Sequence, residues 1–175
     1  MKEIIYYVAT SLDGYIAGPD EDVSRFVGEG DGVRQYLEDL QAFDTVIMGR
    51  KTYEFGYKYG LEPGKLAYPH MEHYIFSDSL KLDRKDEKIH VASLDIALIE
   101  ALKAGEGSPI YLCGGGQFAG WLLDHGLIDV LKIKLNPIVL GDGVPLFGTS
   151  KKQWTANLVA SETYEGGLMI NTYNL

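Results

Sequence analysis

Short apolar runs, each long enough for one strand, alternate along the chain with segments of helical periodicity. Strands are predicted at residues 4–10, 45–48, 73–77, 88–92, 110–113 and 129–136. Helices are predicted at residues 31–43, 52–59 and 116–125, and in a segment that begins after Ser93 or Asp95 and ends at Ala104. Asp31 is a candidate N-cap of the first helix. Residues 11–30 carry several glycines and predict a long loop.

The end of the chain has a different pattern. Residues 155–163 and 168–174 flank Glu165-Gly166-Gly167 and predict a closing hairpin. Strands that alternate with helices favour a parallel sheet, because a parallel connection needs a crossover. We therefore predict a three-layer α/β fold: a mainly parallel central sheet, an antiparallel C-terminal hairpin and helices on both faces. Since no composition break interrupts the chain, one domain spanning residues 1–175 is expected.

Composition and charge narrow the class of protein. The hydrophobic fraction of 46% and the charged fraction of 23% are typical of a globular protein. A formal net charge of −9 argues against nucleic acid or an anionic membrane surface as a partner. No run approaches the ~18 apolar residues of a membrane span, and residues 1–7 lack the apolar core of a signal peptide. The single cysteine, Cys113, forms no internal disulfide, which favours a cytoplasmic location.

The first candidate site follows the apolar run 110–113. Gly114, Gly115, Gly116 and Gln117 come next and open a helical pattern. A strand that ends in glycines before a helix presents free backbone N–H groups, and the helix dipole adds positive charge. Without Cβ atoms a ligand can approach this backbone closely. The pattern predicts a phosphate or pyrophosphate site, and a purely structural tight turn is the alternative.

The second candidate site follows the run 45–48. Gly49 ends that run, and Arg50, Lys51 and Thr52 follow where a helix would begin. Cations at a helix N-terminus oppose its dipole, so a bound polyanion would explain their position. Arginine offers a bidentate fork for phosphate, lysine a point charge and threonine a hydroxyl donor. Two solvated cations on a surface helix are the alternative.

Three segments resemble the dihydrofolate reductase-like superfamily in order and spacing: residues 11–17 (SLDGYIA), 46–53 (VIMGRKTY) and 112–116 (LCGGG). Residues 127–147 extend the resemblance to the reductase half of bacterial bifunctional riboflavin-synthesis proteins, which also occurs as stand-alone chains. The resemblance covers residues 3–173. It implies an NADPH-dependent reductase that transfers hydride to a C=N or C=O group of a heterocyclic or sugar-derived substrate.

The resemblance also implies roles for residues around the adenosine end of NADPH. Arg50, Lys51 and Thr52, after Gly49, match positions that contact the adenosine 2′-phosphate and the pyrophosphate. Ser77 matches a serine near the adenosine phosphate. Arginine and lysine on a phosphomonoester would distinguish NADP from NAD.

Further matches lie around the pyrophosphate and the nicotinamide. Residues 114–117 match the pyrophosphate turn, and Ala9 and Ile16 match positions whose backbone groups hold the nicotinamide carboxamide. Asp13 matches the active-site acid of the family, where it would orient the substrate or relay a proton. The alternative for Asp13 is an ordinary Asp-Gly turn residue.

Two positions depart from the relatives that the chain resembles. Val33 stands near the position of the acidic residue with which dihydrofolate reductases bind the pterin, which argues against folate reduction. Tyr15 stands where riboflavin-type reductases carry a basic residue, which argues against a phosphoribosyl substrate. Two alternative functions stay open beside the riboflavin-type reductase. One is a dihydrofolate or pterin reductase, and the other is a non-catalytic NADP-binding sensor or scaffold.

The remaining predictions concern metals and assembly. His70 and His73 bracket Glu72 without the further ligands of a zinc site, so no metal is expected. Residues 129–136 alternate apolar residues with lysines, and residues 137–140 continue the apolar run. A sheet edge of this kind invites association, which predicts a homodimer. Burial under the closing hairpin is the alternative.

Overall fold

An eight-stranded sheet forms the centre of the computed structural model, which describes residues 1–175. The strands are β1 (Ile4–Thr10), β2 (Tyr15–Ala17), β3 (Thr45–Gly49), β4 (Glu72–Phe76), β5 (Ile89–Ala92), β6 (Ile110–Leu112), β7 (Val130–Leu135), β8 (Val144–Pro145), β9 (Asn157–Thr163) and β10 (Met169–Asn174). The helices are α1 (Asp31–Leu40), α2 (Arg50–Phe55), α3 (Ile96–Ala104) and α4 (Gly116–Asp124).

The order of strands across the main sheet is β5-β4-β3-β6-β1-β7-β10-β9. Strands β1 and β3 to β7 run parallel, while β10 pairs antiparallel with β7 and β9. One apolar cluster packs α3 and α4 on the sheet, and a second packs α1 and α2. The predicted three-layer α/β fold with an antiparallel C-terminal hairpin is confirmed. None of the helices combines the length and the apolar character needed to cross a membrane.

Two local predictions were wrong. Residues 11–30 are not all loop, because β2 pairs with the two-residue strand β8, and a single 3-10 turn follows at Pro19–Glu21. Asp31 does not cap α1: the N-cap is Gly30, and Asp31 is the first helical residue, ion-paired with Arg34. Asp95, by contrast, caps α3 by accepting the backbone N–H of Ala97 at 2.9 Å.

The premise of the dimer prediction was also wrong. Strand β7 lies between β1 and β10 and is therefore not an edge. Strand β10 of the closing hairpin pairs with β7, which agrees with the alternative of burial under the hairpin. Leu131 on β7 is only 7% exposed. The true edge on this side is β9, in which every residue is exposed.

A gap opens in the sheet between β1 and β6. These strands are partners only from Ile4 to Tyr6, opposite Ile110–Leu112. Beyond that point the N–H of Cys113 donates to the Ile47 carbonyl of β3 at 3.0 Å, while β1 stays paired with β7 as far as Thr10. Ligands of open parallel sheets bind where strands part at the carboxyl edge.

Candidate functional site

A cavity of about 870 Å³ lies at this carboxyl edge of the sheet. Its volume is within the range of about 300–1,000 Å³ that is usual for small-molecule and cofactor sites. Both candidate segments of the sequence line it. The predicted cofactor residues in its wall are Ile16, Gly49, Arg50, Lys51, Thr52, Gly114, Gly115, Gly116 and Gln117. The structure thus brings together two segments that lie more than 60 residues apart in the chain.

The glycine turn between β6 and α4 needs each of its three glycines. Gly114 and Gly115 have φ angles of +74° and +89°, which side-chain-bearing residues rarely adopt. A Cβ on Gly116 would collide with the carbonyl oxygen of Pro145. Gly115 is the N-cap of α4, and no side chain caps the helix. The nine-residue helix therefore begins at the cavity wall, where its dipole favours an anion.

The cationic segment lies beside this turn in the cavity wall. A Cβ on Gly115 would lie 2.7 Å from the Thr52 hydroxyl oxygen, so the start of α2 and the glycine turn are in close contact. The Arg50 guanidinium donates to Glu54 Oε1 at 2.9 Å and to Ser79 Oγ at 2.7 Å. Lys51 is exposed and makes no ion pair. Two cations and a hydroxyl therefore stand beside a turn that favours anions.

Ser77 does not line the cavity, although its neighbour Phe76 does. The Ser77 hydroxyl accepts the backbone N–H groups of Ser79 at 3.1 Å and Leu80 at 2.9 Å. It therefore shapes the turn that carries Ser79 to Arg50. No pattern in the sequence indicated that Ser79 would be the partner of Arg50. The predicted contact of Ser77 with the adenosine phosphate stays a prediction.

Ala9 and Asp13 also lie outside the cavity wall, which contains Val8 and Ile16 near them. The exposed Asp13 carboxylate accepts the N–H of Leu140 at 3.1 Å and that of Gly141 at 2.7 Å. Hydrogen bonds from Ser11 and from these backbone groups lower the pKa of Asp13 to about 2. The carboxylate thus ties two loops together, and its predicted role in catalysis stays a prediction.

A row of aromatic rings forms one part of the apolar wall, and sequence reasoning did not assign it to the site. The rings of Phe76 and Phe118 stack with centroids 5.0 Å apart, and Trp121 follows 6.4 Å from Phe118. Phe118 and Trp121 are three residues apart on α4, a spacing that equally fits an ordinary core face. Phe76 and Phe118 are buried, so Trp121 is the ring of this row with the most surface for contact with a ligand.

The histidines do not form a metal centre in this structure, and no group of three or more His, Cys, Asp or Glu side chains is placed to hold a metal ion. His73 is buried, with Nδ1 3.0 Å from the Met71 carbonyl oxygen. Its Nε2 accepts the backbone N–H of Tyr68 at 3.2 Å. Both ring nitrogens are therefore occupied by backbone groups.

The sheet order and the closing antiparallel strands define a dihydrofolate reductase-like fold, with a glycine-lined cavity at its carboxyl edge. The model of the RibD C-terminal domain family matches residues 2–170, and the chain belongs to this family. It is 33% identical over 151 residues to "Uncharacterized protein YwjB" of Bacillus subtilis (strain 168), an alignment that covers 83% of each chain.

Solved structures agree with this assignment. The "Putative riboflavin biosynthesis protein" of Shewanella sp. PV-4 has a TM-score of 0.81 and 25% identity, with coverage of 99% of this chain and 98% of that one. Dihydrofolate reductase from Enterococcus faecalis, complexed with NADP(H), has a TM-score of 0.63 and 14% identity, with coverage of 98% and 95%. The latter likeness shows the fold alone. The predicted resemblance to the reductase domain of riboflavin-synthesis proteins and the predicted dihydrofolate reductase-like fold are confirmed.

Proposed function

We propose that this protein is an NADPH-dependent reductase of the RibD C-terminal type, which reduces a C=N or C=O group of a heterocyclic or sugar-derived substrate. One observation carries the proposal: Arg50, Lys51 and Thr52 meet the Gly114–Gly116 turn in a single cavity. Family membership and the likeness to reductase folds support it.

The residues of the cavity fit the phosphates of the cofactor. Backbone N–H groups of the glycine turn and the dipole of α4 are suited to the pyrophosphate. The Arg50 fork and the Lys51 ammonium are suited to the 2′-phosphate. Bound NADPH supplies the hydride, while the chain fixes the positions of cofactor and substrate and excludes water.

The first test is cofactor choice. NADPH is expected to bind more tightly than NADH, and Arg50→Ala is expected to remove most of that preference. Each charge-assisted hydrogen bond contributes about 1.5–3 kcal/mol, which corresponds to about tenfold or more in affinity. Dissociation constants from fluorescence titration check this, with Arg84→Ala as the charge-matched control because Arg84 is exposed and outside the cavity. Equal affinities for both cofactors would contradict the proposal.

The alternative functions are separated by two further measurements. Val33 on α1 is apolar and half-buried where a pterin-binding acid would stand, so methotrexate is expected to bind weakly. Turnover of NADPH with a panel of carbonyl, imine and pterin substrates distinguishes a reductase from a sensor. NADPH binding without oxidation on any of them would favour the sensor.

A further inference from the structure

Lys134 is a buried cation without an anionic partner. It lies on β7 and is only 9% exposed, yet it makes no ion pair, and its pKa is lowered by burial alone. Its Nζ atom lies 4.7 Å from the centre of the Tyr36 ring on α1. Buried charges are normally paired, because desolvating an ammonium without a counter-charge is costly.

The other buried lysine follows that rule. Lys103 is also 9% exposed, but its Nζ lies 2.6 Å from the Asp129 carboxylate and 3.3 Å from the Leu127 carbonyl oxygen. The fold thus pairs one buried ammonium and leaves the other unpaired.

Asp39, a carboxylate on α1 next to the same strand, is engaged by other groups. Asp39 accepts Lys132 Nζ at 2.6 Å and the Tyr7 hydroxyl at 3.0 Å through Oδ2. Its other oxygen accepts Gln35 Nε2 at 3.0 Å. Lys132, two residues before Lys134 on the same face of β7, therefore has the counter-charge that Lys134 lacks.

Lys134 lies one strand away from the gap in the sheet, because β1 stands between β7 and β6. Its register partner on β1 is Ala9, beyond the point where β1 and β6 separate. No fully enclosed side-chain nitrogen or oxygen lacks a hydrogen-bond partner, so the unpaired Nζ of Lys134 is not fully enclosed. Lys134 lies outside the wall of the 870 Å³ cavity, so a ligand would have to approach it from the α1 side of the sheet.

Neutral phenols surround this side of the gap. The hydroxyls of Tyr36 and Tyr111 are 2.7 Å apart, and the Tyr68 hydroxyl is 3.2 Å from the Cys113 sulfur. Burial raises the pKa of Tyr36, Tyr68 and Tyr111, so all three keep their protons at neutral pH. No ionised carboxylate in this group competes for the lysine.

We infer that Lys134 binds a negatively charged oxygen group of the substrate, a carboxylate or a phosphate, on the α1 side of the gap. The inference rests on the proposed reductase function and adds the charge of the substrate. Dihydrofolate reductases place an acid on the first helix for the pterin, whereas here that position is Val33 and the charged group is a cation on β7. Lys134 therefore favours an anionic substrate over a neutral one.

The test compares matched anionic and neutral probes on the NADP⁺-saturated protein: orotate with uracil, and ribose 5-phosphate with ribose. At least one anion is expected to bind about tenfold more tightly than its neutral counterpart, and Lys134→Met is expected to abolish that preference. Lys134→Arg retains part of it. Lys65→Met, an exposed lysine outside the cavity, serves as the control and leaves it unchanged.

The outcomes separate this inference from the proposed function. Loss of anion preference in Lys134→Met, with an unchanged dissociation constant for NADPH and a melting temperature not below that of the wild type, supports it. The absence of any anion preference in the wild type, or a preference that survives in Lys134→Met, overturns it. Failure of NADPH to bind the wild type contradicts the proposed function instead, and repeating the probes on the protein without cofactor then tests Lys134 alone.

Discussion

The Asp13 carboxylate illustrates how one residue fits two roles until its contacts are known. A general acid at neutral pH needs a pKa near the working pH. The hydrogen bonds from Ser11, Gly141 and Leu140 lower the pKa of Asp13 to about 2 instead. Asp13 is therefore ionised at neutral pH and holds the loop at residues 140–141 against the Asp-Gly turn.

This arrangement predicts a titration at low pH. The folded-state pKa of Asp13 is lowered from 3.8 to about 2. Its contribution to the stability of the folded state is therefore complete above pH 3.8 and is lost as the pH falls through about 2. The amide NMR signals of Leu140 and Gly141 are expected to shift with a midpoint near that pH, and Asp13→Asn is expected to remove the shift. A midpoint near neutral pH would instead identify Asp13 as a proton donor.

Single residues also mark the limit of what the sequence predicts. Arg50 and Lys51 were found because they stand against the charge preference of a helix N-terminus. Lys134 was missed as a site residue because an alternating strand places polar residues at every second position, whatever they contact. Its exceptional feature is the absence of a partner, and partners come from distant parts of the chain.

At the scale of elements, the strands with continuous apolar runs were predicted within a residue or two, as β1 and β3 show. Strands β2 and β8 were missed because three and two residues are too few to show periodicity. Both Asp31 and Asp95 were candidate N-caps in the sequence, but only Asp95 occupies the N-cap position, one residue before its helix.

The turn between β6 and α4 allows a test that separates backbone strain from ligand binding. Gly115→Ala is expected to lower stability by about 1–3 kcal/mol, because the left-handed conformation disfavours a side chain, and to weaken NADPH binding about tenfold or more by disturbing the anion site. Gly60→Ala is the control, since Gly60 has a φ of +90° with nothing within 4 Å of a Cβ. Fluorescence titration and thermal unfolding measure both effects.

The control variant Gly60→Ala is expected to lose stability but to bind NADPH as tightly as the wild type. If Gly115→Ala bound NADPH as tightly as Gly60→Ala does, the triple glycine would be only a structural turn. The clash of a new Cβ with the Thr52 hydroxyl makes this comparison sensitive, because it displaces a group that lines the cavity.

At the scale of the whole molecule, the strand order creates the site. Gly49 ends β3 and the Gly114–Gly116 turn follows β6, and these two strands are neighbours in the sheet. The sequence predicted each segment from local pattern, but their common cavity depends on which strands pair. Pairing is decided by packing across the sheet, which no single segment encodes.

The strand order also moves the expected dimer contact from residues 129–140 to β9. This edge strand has unpaired backbone groups, and its neighbouring residues Leu158 and Val159 are 57% and 55% exposed. Such an edge favours association. We expect two copies to pair β9 with β9 across a twofold axis, because a self-complementary contact closes the assembly at two chains.

Light scattering at micromolar concentration measures this assembly, with a mass expected at twice the 19.4 kDa of one chain. The double variant Leu158→Glu/Val159→Glu is expected to be a folded monomer, because two carboxylates on the edge would face their copies across the axis. Val139→Glu is the matched control: Val139 is 65% exposed and lies in the apolar run 137–140. If only Val139→Glu dissociated the dimer, the interface would be formed by residues 137–140 and not by β9. A wild-type mass of one chain, unchanged by NADPH, would contradict both interfaces.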